Sequence, residues 1–314
     1  MNAWPPGEPI RFAVYALVVS GAVGCGGGHV PLPELASAAG DTTGLVARGE
    51  YIVRSVSVCG HCHAADPADP DGPLAGGHEF SGWRIGVIAA ANLTPDSASG
   101  LGAWSEAEIV RAIRSGEHRS GDVLAPIMPY AWFNGMSDRD ALAIARYLKS
   151  LDAIRNDVRR DPSLVYELAE ALLFEPEEPN EEPTPPRGAT AAYGGYLANH
   201  VALCADCHTP RGGLRSSPDM DRLFAGTDDP PAGFPANPSN LTPDSATGIG
   251  SWSEDDFIRT LRTGVDPEGR ELHPFMPWRQ LRRMSDDDVR AIFRYLRTLP
   301  PIRNDVPVRA GPGG

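Results

Sequence analysis

Apolar residues recur along this chain with helical spacing, and no segment shows the sustained alternation that is typical of a strand. Two such segments, residues 45–58 and 193–203, lead into cysteine-containing motifs. Four more begin with a serine that is followed three residues later by an acidic residue, as in a helix-capping box: Ser105, Ser137, Ser253 and Ser285. The pattern predicts an all-α fold with long loops.

The chain also repeats itself. Residues 92–158 align without a gap on residues 240–306, an offset of 148, and many positions are identical. Upstream, the motifs CGHCH at Cys59 and CADCH at Cys204 are related by an offset of 145. Solenoid repeats have periods of about 20 to 50 residues. A repeat this long therefore indicates a duplicated domain.

The duplication defines the predicted domain organisation. We predict one domain at residues 45–158, a second at 189–308, and a short tail at 309–314. The intervening residues 159–188 contain a helical pattern at 163–174, followed by prolines and acidic residues. Prolines oppose helix and strand formation, and repelling charges extend a chain. We therefore interpret this segment as an acidic, proline-rich linker.

The N-terminus has the pattern of an export signal. An apolar run at residues 12–24 follows Arg11 and is shorter than the ~20 residues that a membrane-spanning helix needs, so we predict a signal peptide at residues 1–24. The sequence ending at Cys25 resembles a bacterial lipobox, which implies lipidation of that cysteine and a flexible tether at 25–44. The alternative is an ordinary secretory signal with an incidental cysteine. We expect export to the periplasmic side of a bacterial membrane.

Composition and charge narrow the function. The chain has 314 residues, 41% of them hydrophobic and 22% charged, which is typical of a globular protein of about two domains. Its formal net charge of −13 argues against nucleic-acid binding, because phosphate neutralisation requires clustered lysine and arginine. It contains five cysteines. An odd number means that at least one has a use other than an intramolecular disulfide.

Four of those cysteines stand in two C-x-x-C-H motifs. The motifs comprise Cys59, Cys62 and His63, and Cys204, Cys207 and His208. Two thiols about one helical turn apart can attach to the vinyl groups of a haem, and the adjoining histidine then reaches the iron. A thioredoxin-like pair would need a preceding strand, and a zinc site would space its cysteine pairs by about 15 to 20 residues. The motifs therefore predict two covalently bound haem c groups and no disulfide.

Both repeats resemble class I cytochrome c domains, and the whole chain is similar to dihaem and multihaem cytochrome c subunits of membrane-associated bacterial dehydrogenases. The resemblance is carried by RGEYIVRSVSVCGHCH, GGYLANHVALCADCHTPRG, the two NLTPDS runs and the IMP and FMP loops. It implies two tandem domains, each built around one covalent haem. It also implies axial ligation by His63 or His208 together with a methionine, and electron transfer in the periplasm.

The methionine ligand has repeated candidates. Met128 and Met276 stand in proline-flanked loops that can present a thioether to iron. Met136 and Met284 precede predicted helix caps, where an apolar residue usually packs onto the first turn. We predict Met128 and Met276 as the ligands. His273 is an alternative in the second repeat, although alanine occupies its position in the first.

Other residues have less specific roles. The segment around Pro73 resembles the family element whose proline carbonyl accepts a hydrogen bond from the axial histidine, and the second repeat has no clear equivalent. Three repeated pairs either contact haem or pack the core: Asn92 and Asn240, Trp104 and Trp252, Tyr147 and Tyr295.

The predicted ligands indicate an electron carrier rather than an enzyme. A thioether ligand favours ferrous iron, and two filled axial positions leave no site for a substrate. We expect electrons to pass between a dehydrogenase and an oxidase, a soluble cytochrome or another respiratory acceptor, with attraction of the acidic chain to basic docking surfaces. The alternative is a dihaem enzyme, such as a peroxidase or a thiosulfate-oxidising cytochrome. A peroxidase would need one haem that is open or can lose its ligand.

Overall fold

The computed structural model describes residues 42–180, 183–212, 217–230 and 235–307. The predicted signal peptide, Cys25 and the predicted tail lie outside these residues. Within the described ranges, short and medium-length helices are joined by long loops, and none of these helices has the length and apolar character needed to cross a membrane.

The two halves of the described chain contain the same α-helices in the same order, and the second half has an additional 3₁₀ helix, Met220–Arg222. In the first half these are α1 (Thr42–Tyr51), α2 (Gly60–His63), α3 (Glu106–Ser115), α4 (Tyr130–Phe133) and α5 (Asp138–Lys149). A separate helix, α6 (Leu164–Leu173), lies between the halves in sequence. The second half has α7 (Ala191–Tyr196), α8 (Cys204–His208), α9 (Glu254–Thr263), α10 (Trp278–Leu281) and α11 (Asp286–Leu296). Helices α1 and α7 run on into π-helical turns, Ile52–Val56 and Leu197–Val201. Helix α1 begins inside the segment predicted as tether, so the ordered fold starts earlier than the apolar pattern indicates.

Serine caps start the helices where the sequence predicts them. Ser105 and Ser253 each accept the N–H of the residue three positions on, whose carboxylate accepts the serine N–H in return. These are complete capping boxes. Both helices end at a glycine in the left-handed region, Gly116 (φ 71°) and Gly264 (φ 74°), a conformation that a residue with a Cβ adopts only at a cost. The boundaries of α3 and α9 are therefore set locally.

The first and last helices of each half pack together at a glycine. A Cβ on Gly49 of α1 would overlap the carbonyl oxygen of Ala143 in α5. Gly194 of α7 stands in the same relation to Ala291 of α11. The apolar faces of these helices are almost completely buried, so the core of each half lies at this crossing.

The described chain also contains short strands that the all-α prediction misses. In the first half, β1 (Glu79–Gly82) and β2 (Gly86–Ala89) form an antiparallel hairpin, and β3 (Arg160–Pro162) pairs with the other edge of β2. In the second half, β4 (Arg211–Gly212) and β5 (Ser217–Pro218) form a two-residue ladder. Strands of two to four residues are too short for a period-two pattern to be recognised, and β3 finds its partner far away in sequence.

The predicted linker is attached to the first half along much of its length. It begins as β3 and continues as α6, whose N-cap is Ser163, in agreement with the helical pattern predicted there. Leu164, Leu168 and Leu172 on α6 are 83%, 62% and 69% exposed, whereas Tyr166 is buried. Farther on, the N–H of Glu177 donates to the carbonyl of the last residue of α3 (2.9 Å).

Two tyrosines join the halves through equivalent contacts. Tyr51 Oη donates to Asp288 (2.6 Å) and accepts the backbone N–H of the serine that caps α11 (2.9 Å). Tyr196 Oη donates to Asp140 (2.9 Å) and accepts the N–H of the serine that caps α5 (3.2 Å). The tyrosines are related by the offset of 145, and the aspartates by the offset of 148. The halves therefore exchange equivalent contacts, as in a two-fold arrangement.

Candidate haem-binding sites

Both C-x-x-C-H motifs begin with the same backbone turn. Val58 (φ 45°) and Leu203 (φ 55°), which directly precede the first cysteine of each motif, lie in the left-handed region. Residues with branched side chains rarely adopt this conformation, and the surrounding structure must hold it. The short helices α2 and α8 follow at once and bring the two cysteines of each motif about one turn apart. Nothing in the residue types indicates this strained turn, which the structure repeats in both halves.

The cysteine chemistry argues against a thioredoxin-like redox pair at the motifs. The four cysteines of the motifs are free and partly accessible. Burial is the main cause that raises the pKa of Cys59, Cys204 and Cys207 to about 12, and that of Cys62 to about 11. A redox-active C-x-x-C pair requires a lowered thiol pKa instead. Among the described residues, no three histidine, cysteine or acidic side chains form a group suited to a metal ion.

The two motif histidines are in the protonation state that an axial ligand needs. His63 Nδ1 lies 2.8 Å from the carbonyl oxygen of Ala91, and His208 Nδ1 lies 2.7 Å from that of Ser239. A carbonyl only accepts, so Nδ1 carries the proton and Nε2 keeps a free lone pair. Burial lowers the pKa of both histidines, which favours the neutral ring. The residues present therefore fit a haem iron bound at Nε2.

The carbonyl that orients each histidine differs from the predicted one. The prediction for Pro73 is wrong, because its carbonyl accepts the N–H of Ala65 (2.9 Å). The acceptor for His63 is Ala91, and Ser239, at the offset of 148, has the same role in the second half. A backbone carbonyl leaves no mark in the residue type. The available signal was positional, since both residues directly precede the repeated NLTPDS run.

The four repeated methionines fall into two groups. Met136 and Met284 are 0% and 3% exposed, which agrees with packing beside a helix cap. Met128 and Met276 remain partly accessible. Each stands in the same turn, where the methionine N–H donates to the carbonyl three residues earlier (2.9 Å in both halves). Met128 and Met276 stay the predicted ligands, now with matching backbone geometry.

The hydrogen bond of His273 favours the opposite tautomer to that of the two motif histidines. Its Nδ1 accepts the backbone N–H of Phe275 (3.1 Å), so in the neutral ring the proton is on Nε2. A protonated Nε2 has no lone pair to offer to iron. This geometry disfavours His273 as the alternative to Met276.

The two motifs lie close to one another at the boundary between the halves. Burial raises the pKa of Asp206, in the middle of the second motif, and the side chain of Trp132 in α4 is among the neighbouring groups that lower it. His61, at the same position of the first motif, packs edge-on against Phe275, with ring centroids 5.2 Å apart. After burial, the charge of Asp206 is the next cause that raises the pKa of Cys62. Each motif therefore contacts the methionine-loop region of the other half.

The repeated asparagines and Tyr147 make hydrogen bonds to other groups of the chain. Asn92 donates to the carbonyl of Ile154 (2.8 Å), and Asn240 makes the equivalent bond of 2.7 Å to the carbonyl of Ile302. Both asparagines are buried, and each side-chain oxygen accepts an N–H two residues on. The hydroxyl of Tyr147 accepts from an arginine of the first half. These contacts favour the packing role over contact with haem.

Comparison with known proteins agrees with this geometry. Residues 196–300 match the family model for cytochrome c. The chain is 32% identical over 269 residues to the gluconate 2-dehydrogenase cytochrome c subunit of Pantoea cypripedii, covering 81% of this chain and 59% of that protein. It is 31% identical over 273 residues to the cytochrome c subunit of the quinone-type alcohol dehydrogenase of Komagataeibacter europaeus, covering 82% and 56%. A diheme cytochrome c-type protein of Cereibacter sphaeroides is 28% identical over 273 residues, covering 83% and 88%.

The chain is a c-type cytochrome related to the cytochrome c subunits of dehydrogenases, which confirms the resemblance inferred from its motifs. It spans little more than half the length of the two dehydrogenase subunits. The family implies covalent haem c. The names of the relatives agree with an electron-transfer subunit rather than an enzyme.

Proposed function

We propose that this chain transfers electrons through two covalently bound haem c groups, one in each of two tandem cytochrome c domains at residues 45–158 and 189–308. The observation that carries the proposal is the pair of motif histidines. His208 is buried and His63 is half-buried, each is oriented by a carbonyl at the same repeat position, and both have Nε2 free for iron. A haem bound there supplies reversible one-electron chemistry between ferrous and ferric iron.

The chain's own residues would hold each haem from both faces. In the first domain, Cys59 and Cys62 would form the thioether links, and His63 and Met128 would bind the iron. In the second domain the same roles fall to Cys204, Cys207, His208 and Met276. With the iron bound by two side chains of the protein, no position on it would be left for a substrate or water. The matching methionine turns favour this arrangement over a dihaem peroxidase, which needs one displaceable ligand.

The contacts between the motifs support electron passage within the chain. Asp206 and His61, one from each motif, both contact the methionine-loop region of the opposite half. Two cofactors attached at these motifs would therefore be neighbours. One domain could then accept electrons while the other delivers them.

We further propose a dehydrogenase as the electron donor and a respiratory component as the acceptor, on the periplasmic side of a bacterial membrane. The donor is suggested by the names of the relatives. The net charge of −13 favours docking to basic surfaces, and this attraction weakens with salt. Lipidation of Cys25 would keep the chain at the membrane. Cys25→Ser should release the protein into the soluble fraction once partners are stripped away, and continued membrane binding would argue against the lipid.

Haem counting and optical spectroscopy test the proposal. The matured full chain should carry two covalent haems by mass spectrometry. The double variant Cys59→Ser/Cys62→Ser and the matched variant Cys204→Ser/Cys207→Ser should each carry one. The oxidised protein should show the weak far-red band of methionine-ligated iron and no high-spin signal. A high-spin haem in the resting protein would instead indicate an open site and favour an enzyme.

A further inference from the structure

The two methionine loops share a backbone turn but differ in one polar side chain. Met128 N–H donates to the carbonyl of Ala125, and Met276 N–H donates to that of His273, each at 2.9 Å. Ala125 and His273 are thus the same position of the repeat. The second loop therefore carries an imidazole that has no counterpart in the first.

The imidazole of His273 presents an unused donor to the protein interior. Because Nδ1 accepts the N–H of Phe275 (3.1 Å), the neutral ring carries its proton on Nε2. Nε2 is buried and has no hydrogen-bond partner in the described part of the chain. Native proteins rarely leave a buried donor unpaired, because desolvation without a hydrogen bond is costly. An acceptor from outside the polypeptide would resolve this cost.

The position of His273 suggests what that acceptor is. His273 lies three residues before Met276, the ligand proposed for the second haem, and one turn links the two residues. Iron would require the lone pair that Nε2 lacks in this state. The hydrogen-bond acceptors of haem are its two propionate carboxylates. We propose that His273 Nε2–H donates a hydrogen bond to a propionate of the haem in the second half, an inference that rests on the proposed function.

This contact would distinguish the two haems. A hydrogen bond to a propionate offsets part of the negative electrostatic potential that this carboxylate creates at the iron. That potential stabilises the ferric state more than the ferrous state, so the ferric state loses part of its stabilisation. The second haem should then have a higher midpoint potential than it would have without His273. The loop of the first half, with Ala125, makes no such contribution.

A spectroelectrochemical titration of the haem-loaded full chain tests the contact through the two midpoint potentials. His273→Ala should lower only one of the two midpoint potentials. The expected shift is roughly three- to tenfold in the reduction equilibrium, because only part of the free energy of a hydrogen bond to a charged group differs between the two oxidation states. A tenfold shift is about 59 mV for one electron. His273→Gln retains an N–H donor at the corresponding position and should restore most of the wild-type potential. The far-red band of methionine ligation should persist in both variants.

Three results would overturn the inference. One is a His273→Ala variant in which both potentials are unchanged or move equally. Another is a glutamine variant that behaves like the alanine variant. The third is loss of the methionine band of the second haem on replacing His273, which would show that the residue holds the Met276 loop in place instead of binding a propionate. A wild-type protein with one haem, or without methionine ligation, would instead defeat the proposed function, so the two failures can be told apart.

Discussion

The two tyrosines that join the halves make equivalent contacts with carboxylates in unequal surroundings. Tyr51 Oη is the side-chain donor to Asp288, which has no ion-pair partner among the described residues. Asp140, the partner of Tyr196, also receives two hydrogen bonds from Arg48 at 2.9 and 2.8 Å. We predict that Tyr51→Phe destabilises the protein more than Tyr196→Phe.

The structure allows both costs to be worked out. A hydrogen bond to a charged group contributes about 1.5–3 kcal/mol, and leaving a buried charged group without a donor moves the cost to the upper part of that range. Asp288 is 8% exposed, so we expect about 2–3 kcal/mol for Tyr51→Phe. Asp140 keeps Arg48, so Tyr196→Phe should cost about 1 kcal/mol. Both variants lose the acceptor for one serine N–H, and this contribution cancels in the comparison.

Urea unfolding of the haem-loaded chain, followed by far-ultraviolet circular dichroism, measures the difference. The two variants should share the wild-type dependence on urea and differ in midpoint, with Tyr51→Phe unfolding first. Tyr193→Phe is a matched control, since that hydroxyl accepts only a 3.2 Å bond from Arg48. If Tyr196→Phe proves as destabilising as Tyr51→Phe, then the ion pair of Asp140 does not compensate for the lost hydroxyl and the reasoning fails.

Two further predictions concern the core and its acid stability. Gly49→Ala should lower the free energy of unfolding by about 1–3 kcal/mol, the usual cost of overpacking, because the added Cβ would overlap the carbonyl oxygen of Ala143. In contrast, Gly82→Ala, which has open space around its Cβ, should change the melting temperature little. Burial raises the pKa of Asp140, but the hydrogen bond and charge of Arg48 outweigh it and hold this pKa below its ordinary value. The stability from this ionised group is therefore present above the ordinary aspartate pKa of ~3.9 and is lost as pH falls through the lowered pKa. Melting temperatures measured against pH should fall less steeply at the acid end for Asp140→Asn, and an unchanged slope would contradict the assignment.

Much of the fold was predictable because its signals are local. The capping boxes at Ser105 and Ser253 depend on residues three positions apart, so the starts of α3 and α9 could be identified from sequence. The repeat likewise predicted that the second half would contain the helices of the first. The strand β3 could not be anticipated, because three residues show no period and its partner β2 lies more than seventy residues earlier.

The candidate sites divide in the same way. Each cysteine pair and its histidine form a contiguous motif that can be recognised from sequence. The choice of Met128 over Met136 as the predicted ligand followed from the prolines beside Met128 and the helix cap beside Met136. The carbonyls of Ala91 and Ser239 escaped prediction, because every residue type has a backbone carbonyl and only the folded chain selects one.

The sequence alone determined the number of repeats, the helix starts and the chemical groups available to a haem, since all of these depend on residue types at short spacings. Only the tertiary structure decided which nitrogen of each histidine is protonated, which carbonyl orients it, and that the two motifs are neighbours. Those properties depend on contacts between segments distant in sequence. The contrast between His208 and His273 shows the reason: a backbone carbonyl at Nδ1 leaves a lone pair on Nε2 of a neutral His208, whereas a backbone N–H at Nδ1 leaves an N–H on Nε2 of a neutral His273.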